Sequence, residues 1–430
     1  MNYQESLDYL FSQLPMFSRT GAPAYKPGLD TSIELARFFD DPQKKFKSIH
    51  VGGTNGKGST SHMIASVLQA QGYKTALYTS PHLVDFRERI RINGKMIPED
   101  RVVEFVERWK NSSYKGHPSF FELTMIMAFN WFAEEKVDYA VIEVGMGGRL
   151  DSTNIITPLL SVITNISHDH NQFLGNSLQE IAGEKAGIIK RNIPVVIGET
   201  QNETCHIFSE KAATMNAPFS FADKNIKAEI TPVPNGWEIK WEGKEMISPI
   251  GGEYQKKNII TVLAAISELR KNGIEISEDA VKEGLENVLT NTGFAGRWMV
   301  ISDRPLVIAD TGHNIAGMTY NVAQLKEIMG KGEKNNLRIV IGFVADKAID
   351  KILKLLPHEA KYYVTNAQIP RALPALQLLE KFHESGFTAE AFPDVSTAFL
   401  AAKKEASEKD VIFIGGSTFI VADFLASKDD

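Results

Sequence analysis

The stretch Lys47-Ser48-Ile49-His50-Val51, running into Gly52-Gly53-Thr54-Asn55-Gly56-Lys57-Gly58-Ser59-Thr60, decides how this chain is read. Phe46 to Val51, with Phe46 and the β-branched Ile49 and Val51, reads as a strand, and Ser61 to Ala70 has the spacing of an amphipathic helix. Between them, glycines permit a tight turn and close approach of backbone to phosphate. The helix start offers free N–H groups, and Lys57 brings charge to the β and γ phosphates. Gly53, Thr54, Asn55, Gly56, Lys57, Gly58 and Ser59 are the expected ATP contacts. The stretch is not the strict P-loop pattern: the glycines stand closer together, and Gly58 separates Lys57 from the hydroxyl of Ser59. An ordinary glycine-rich strand-to-helix turn is the alternative.

Outward from this loop, further strand-like runs alternate with helical patterns: Lys74 to Thr79, Val137 to Val144, Leu159 to Asn165 and Ile193 to Gly198. That alternation predicts an α/β fold, a parallel sheet with helices on both faces. After Ala217 the pattern shortens, and Pro234-Asn235-Gly236 predicts a hairpin within Ile230 to Trp241, a small β appendage. Gln255 to Leu289 reads as helical, and Asn291-Thr292-Gly293 as a linker. A second α/β series follows, with strands at Leu306 to Asp310, Leu337 to Phe343, Lys361 to Thr365 and Val411 to Ile414. The expected domains are therefore 1–293, binding ATP, and 294–430, smaller and Rossmann-like, with a ligand cleft between two nucleotide-type folds. Lys428-Asp429-Asp430 reads as a frayed tail.

Composition narrows the function. The 430 residues are 43% hydrophobic, enough for a sizeable core in each domain. Neither a secretory signal in Met1 to Phe17 nor an apolar stretch of bilayer length is evident, so a cytoplasmic location and no membrane partner are expected. Cys205 is the single cysteine, which excludes an internal disulfide and a cysteine metal cluster. A net charge of −6 argues against nucleic acid as partner, since phosphate neutralisation along a polymer needs a broad basic surface.

Several polar residues stand at the expected C-terminal ends of strands, where open α/β sheets bind ligands. Glu143 ends a very apolar strand and needs a cation: magnesium, beside nucleotide phosphates, or an arginine such as Arg149. His170 follows the next strand and is either a metal ligand or a hydrogen-bonded loop residue. Ser177 and Glu180 form a capping box opening a helix from Leu178 to Ile189, on which Glu184 and Lys185 would ordinarily be a solvated pair. Asp310 is placed either to hold a ribose hydroxyl or to cap a helix, and Arg297 in Gly296-Arg297-Trp298 is within a chain's reach of phosphate.

Taken in order, these residues resemble the folylpolyglutamate synthase and dihydrofolate synthase family of the Mur ligase superfamily, bacterial type. The resemblance is carried by Gly53 to Ser59, Thr79-Ser80-Pro81-His82-Leu83, Glu88-Arg89-Ile90-Arg91-Ile92-Asn93-Gly94 and Phe120-Phe121-Glu122. Glu143 to Asn154, Asp169-His170, Glu184 to Ile188, Gln255 with Asn258, Gly296-Arg297, and Asp310 with His313-Asn314 complete it. The resemblance implies ATP-dependent joining of L-glutamate to reduced folate, and to dihydropteroate, through an acyl phosphate, by a monomer using Mg2+ with ATP as co-substrate. It implies Ser80, Glu143, His170 and a carbamylated Lys185 as metal ligands, and Asn258, Arg297 and Asp310 as further ATP contacts. Lys57, Lys185 and His313 are the implied catalytic residues, with His313 near glutamate or the reactive phosphate. Ser119, Phe120, Phe121, Glu122, Leu150, Asp151 and Ser152 are implied for the folate or pteroate. Ala295, where the family commonly has proline, and Gly312, where alanine is usual, depart from the pattern. Competing readings are a Mur ligase acting on a UDP-muramyl substrate and a non-catalytic nucleotide-binding regulator.

Overall fold

A computed structural model describes residues 1–15, 28–332, 334–345, 347 and 349–427. The chain divides into two compact units. The first comprises Met1–Val233, Trp237–Pro249 and Gln255–Phe294; the second comprises Pro234–Gly236, Ile250–Tyr254 and Ala295–Asp430. The expected tail at Lys428 to Asp430 lies outside the described residues.

In the first unit, strands β1 (Lys47–Gly52), β2 (Thr75–Tyr78), β3 (Ile90–Ile92), β4 (Lys95–Met96), β5 (Tyr139–Glu143), β6 (Leu160–Ile163), β7 (Val195–Ile197) and β8 (Phe219–Phe221) form one sheet. Its order is β4-β3-β2-β5-β1-β6-β7-β8. β2, β5, β1, β6, β7 and β8 run parallel, and β3 and β4 close one edge in antiparallel fashion. β1 lies between β5 and β6, so the chain has turned to opposite sides of β1 after its two neighbours, and the crevice of such a sheet opens beyond the C-terminal end of β1. The strands expected from the sequence are there, and each is buried almost throughout.

Alternation along the strands divides the core. Tyr78, Ala140 and Ile142 pack with Leu123, Phe129 and Phe132 of the helix Phe120–Glu134. Val144, Ile163, Val195 and Ile197 pack with Ile181 and Ala186 of the helix Leu178–Ala186. The expected capping box opens that helix, Glu180 N donating to Ser177 Oγ and Ser177 N to Glu180 Oε2. The helix ends at Ala186, short of the expected Ile189.

Two other expectations change. The helical stretch expected to run from Gln255 to Leu289 is three helices, Gln255–Lys271, Glu278–Glu286 and Val288–Thr292. The supposed linker is the last of these, closed by Gly293 at φ +64°. The β appendage is a separate three-stranded sheet of β9 (Glu229–Val233), β10 (Gly236–Trp241) and β11 (Lys244–Ser248).

The second unit holds β12 (Met299–Asp303), β13 (Leu306–Ala309), β14 (Leu337–Ile341), β15 (Lys361–Val364), β16 (Thr388–Ala391) and β17 (Val411–Gly415), in the order β12-β13-β17-β14-β15-β16. Only β12 is antiparallel to its neighbour. The sequence shows the four inner strands but not β12 and β16, whose residues are half-exposed or exposed and so form no apolar run. Among the described residues no helix is long and apolar enough to cross a membrane.

Candidate active site

The phosphate loop is built as its sequence requires, with one correction. Gly53 and Gly56 have φ of +133° and +83°, and a Cβ on them would lie 1.9 Å from Thr164 Oγ1 and 2.2 Å from Asn258 Oδ1. Only glycine fits either position. The helix begins at Lys57, not at Ser61, so its first turn is the loop's own Lys57-Gly58-Ser59-Thr60. Gly56 precedes it with no side chain to cap it, and the amides of the first turn are available to an anion. Lys57 Nζ donates to Thr54 O at 3.2 Å. Asn258 is 3% exposed and donates from Nδ2 to Gln255 Oε1 at 2.8 Å, while Gln255 Nε2 donates to Ser59 Oγ at 3.2 Å.

Glu143, 5% exposed at the end of β5, accepts from Ser80 N at 3.1 Å. Its carboxylate looks toward the helix start, since a Cβ on Gly58 would lie 3.8 Å and 3.9 Å from its two oxygens. The arginine considered for it is engaged elsewhere: Arg149 pairs with Glu184 at 2.7 Å. Lys185 is likewise no member of a solvated pair. It is 4% exposed and donates to Gly53 O at 2.9 Å. Burial, reinforced by the charge of Lys57, lowers its amine to about 7. His170 adopts a left-handed backbone at φ 50° before the helix Asn171–Leu174, its Nε2 3.9 Å from Asp169 Oδ1. Among the described residues no three His, Cys, Asp or Glu side chains gather into a metal group. A carboxylate such as Glu143 beside phosphate oxygens suits magnesium, which takes few protein ligands and keeps several waters.

The residues expected at the acceptor occupy one region of the first unit, and several are bound by the protein itself. Ser119 caps the helix Phe120–Glu134, and Glu122 Oε2 accepts from Ser119 N at 2.7 Å and Oγ at 2.8 Å. Glu122 Oε1 accepts from Ser32 Oγ at 3.3 Å. Phe120 stacks on Phe11 with centroids 5.5 Å apart, whereas Phe121 is half-buried with its ring edge against Gly145. Leu150 and Ser152 are half-buried on either side of Asp151. Asp151 accepts from Met146 N (2.8 Å), Thr153 N (3.0 Å) and Thr153 Oγ1 (2.5 Å). Burial nonetheless raises its carboxyl above the usual range.

Two features here escaped sequence reading. His50 on β1 is fully buried, held neutral with its pKa near 3 by burial, and lies 2.9 Å from Thr153 Oγ1. Since that hydroxyl donates to Asp151, His50 Nε2 carries the proton and donates to it. Arg89, 4% exposed, donates from Nε to His82 Nδ1 at 2.7 Å and lies 5.4 Å over the Phe120 ring. Burial and Arg89 lower His82 to about 3. Both residues stand in stretches that carry the family resemblance.

In the second unit Asp310 is 1% exposed and fully engaged. Oδ2 accepts from Tyr254 Oη (2.5 Å) and Trp298 N (2.8 Å), and Oδ1 from Gly312 N (2.7 Å) and Asn321 Nδ2 (2.7 Å). The helix cap considered for it belongs to Asn314, which accepts from Gly317 N at 2.9 Å and opens the helix Ile315–Gly330. Arg297 Nη1 donates to Gly296 O at 3.2 Å, and His313 Nδ1 lies 3.0 Å from Thr311 O.

Comparison with known proteins agrees with this architecture. Residues 51–266 match the Mur ligase middle domain, and 296–418 the Mur ligase glutamate ligase domain. The dihydrofolate synthase/folylpolyglutamate synthase of Bacillus subtilis is 34% identical over 98% of each chain. The structure of E. coli FolC in complex with DHPP and ADP superposes with a TM-score of 0.84 at 28% identity, covering 100% of this chain and 98% of that one. The Yersinia pestis bifunctional folylpolyglutamate synthase/dihydrofolate synthase, complexed with AMPPNP and a Mn ion, gives 0.83 at 28% identity, with 100% and 98% covered. With full-length similarity of this degree laid over an uncapped phosphate loop and a carboxylate facing it, the chain belongs to the dihydrofolate synthase/folylpolyglutamate synthase family of Mur ligases.

Proposed function

We propose that this protein is an ATP-dependent ligase that joins the amino group of L-glutamate to the carboxylate of a reduced folate, and also to that of dihydropteroate. The observation that carries the reading is the uncapped helix start at Lys57 with Glu143 turned toward it, a place made for phosphate and a cation together. A carboxylate oxygen of the acceptor attacks the γ-phosphorus of ATP and ADP leaves, giving an acyl phosphate. The glutamate amine then attacks the acyl carbon, inorganic phosphate leaves, and the amine's surplus protons pass to solvent.

The loop Gly53 to Ser59 would orient the triphosphate through its amides, with Lys57 against the transferring oxygens. Glu143, Ser80 and His170 would hold Mg2+, which when bound neutralises charge developing on the phosphoryl group. Lys185 at about 7 is substantially a neutral amine at physiological pH, and that is the form that takes up carbon dioxide as a carbamate. Such a carbamate would put an anion in place of a largely neutral buried amine beside the phosphate loop. Asn258 serves the adenine side, Arg297 the phosphate and Asp310 the ribose, the last by giving up one of its present partners. His313 serves glutamate or the acyl phosphate. Phe121, Leu150 and Ser152 line the acceptor, and Ser119, Phe120, Glu122 and Asp151 shape that region.

On this reading residues 1–293 form the ATP-binding domain and 294–430 the Rossmann-like C-terminal domain, in a cytoplasmic monomer with small-molecule partners. The test is glutamate-dependent ADP release from MgATP with dihydropteroate, tetrahydrofolate or a UDP-muramyl acceptor. Release with both pterins supports a bifunctional synthase, and release with tetrahydrofolate alone limits it to chain extension. Activity only with the sugar nucleotide overturns the substrate assignment.

A further inference from the structure

β1 and β6 leave the sheet side by side, Gly52 opposite Ile163, yet the pairing continues past the strands. Thr164 N donates to Gly52 O at 3.0 Å and Thr54 N to Asn165 O at 2.8 Å. Side chains then take the place of backbone. Asn165 Oδ1 accepts from Asn55 N and Asn165 Nδ2 donates to Asn55 O, each at 3.1 Å, so the carboxamide meets the loop as an opposed peptide group would. Thr54 repeats the device in the other direction. Its Oγ1 accepts from Ser167 N at 3.0 Å and donates to Ser167 O at 3.2 Å. Thr164 Oγ1 donates to Asn55 O at 2.6 Å, and Asn55 Nδ2 donates to Ser167 Oγ at 3.1 Å.

Lys57 lies two residues beyond Asn55, and His170 five beyond Asn165. Loop segments at the end of a sheet are ordinarily among its more mobile parts, because the ladder that fixes the strands has ended. Here the ladder is extended through side chains until just before the residues that carry charge. We propose that Asn165 and Thr54 are positioning residues that lock the phosphate loop to the segment leading to His170, so that triphosphate and divalent cation are received in one fixed geometry. The inference rests on the reading that this loop binds ATP and that His170 serves the cation.

Asn165→Asp is nearly isosteric, keeps the acceptor for Asn55 N, and turns the donor facing Asn55 O into an acceptor. Thr54→Val removes the hydroxyl at similar volume, and Thr54→Ser restores it. On the full-length protein, binding of a fluorescent ATP analogue would be titrated in EDTA and in Mg2+. Half-activating Mg2+ in the ADP-release assay and the thermal midpoint would be measured beside it. Asn165→Asp and Thr54→Val are expected to weaken analogue binding several-fold in EDTA and to raise half-activating Mg2+ about tenfold, the scale set by one or two misplaced hydrogen bonds. Thr54→Ser should stay within about twofold of the unaltered protein on the same scale. A lowered thermal midpoint with unchanged nucleotide and Mg2+ dependence in the two disruptive variants overturns the proposal and leaves a stability brace. If Asn165→Asp fails to fold, the Thr54 pair decides alone. Should the unaltered protein lack Mg2+-dependent nucleotide binding, the reading of the site itself fails, an outcome distinct from variants that merely match it.

Discussion

The ends of β1 and β13 are two answers to the same structural situation: a buried parallel strand that delivers polar residues to the start of a helix. Beyond β1 the helix opens at Lys57 after Gly56, with no capping side chain, so donors are left for something not part of the chain. Beyond β13, Asn314 caps the helix and Asp310 has a donor on every side, from Tyr254, Trp298, Gly312 and Asn321. A glycine N-cap in place of a capping side chain costs a few tenths of a kcal/mol, and natural proteins accept that cost where a ligand completes the site. The contrast teaches that a strand-end acid alone does not mark a ligand; unsatisfied donors facing a carboxylate do so better.

The contrast breaks most plainly by substitution at its two ends. At the open end, Lys57→Ala and Glu143→Ala should each lower glutamate-dependent ADP release by about a thousandfold or more with every acceptor, as loss of charge against a transferring phosphoryl group implies. Near-normal turnover of Glu143→Ala in Mg2+ would sink the cation assignment. At the closed end, Asp310→Ala strands four donors in a site 1% exposed and should cost about 3–5 kcal/mol in urea unfolding. A rise in KM for ATP accompanying that loss supports the ribose role proposed for Asp310, and an unchanged KM for ATP removes it.

Within the first unit a finer comparison is available. Asp151→Ala should injure use of dihydropteroate about tenfold or more while sparing tetrahydrofolate comparatively, as expected if the hydrogen-bonded loop from Gly145 to Thr153 shapes the pterin side alone. Equal losses of kcat/KM with both acceptors would assign the residue to general folding. A pH-dependent effect concerns His50, whose pKa of about 3 lies below its ordinary 6.5. A base held neutral in the fold adds full stability above pH 6.5, and that stability is lost as pH falls toward 3, because only the unfolded chain takes up the proton. His50→Gln should therefore flatten the pH dependence of unfolding by about 1.4 kcal/mol per pH unit across that window. Urea titrations at a neutral and a mildly acidic pH, on both proteins, check it.

Much of this was legible beforehand for local reasons. β5, β6 and β7 are short, largely apolar runs that must be buried on both faces, and a run of that kind announces itself; β1, with Lys47, Ser48 and His50, is marked by the glycine-rich loop that follows it. The edge strands β4, β12 and β16 are not legible in the sequence, because a strand with a solvated side carries a diluted pattern, and β3, buried between β4 and β2, is too short to show one. The sequence pattern sets the helix start four residues late because Lys57-Gly58-Ser59-Thr60 has weak helix propensity, and packing against the sheet overrides it. His50, 103 residues from Thr153 in the chain, gave no sign of its partner, and neither did Arg149 of its pairing with Glu184.

By itself, then, the sequence determined the order of strands and helices, the position of the phosphate loop and the family, all of which depend on residues close together along the chain. Only the tertiary structure decided which polar groups are satisfied from within and which are kept for a ligand. Lys185 became a buried amine, Asp310 a closed centre and Asn165 a surrogate peptide through partners brought from distant segments. A buried hydrogen-bonding group is defined by what surrounds it in space, and neither periodicity nor spacing along the chain contains that information.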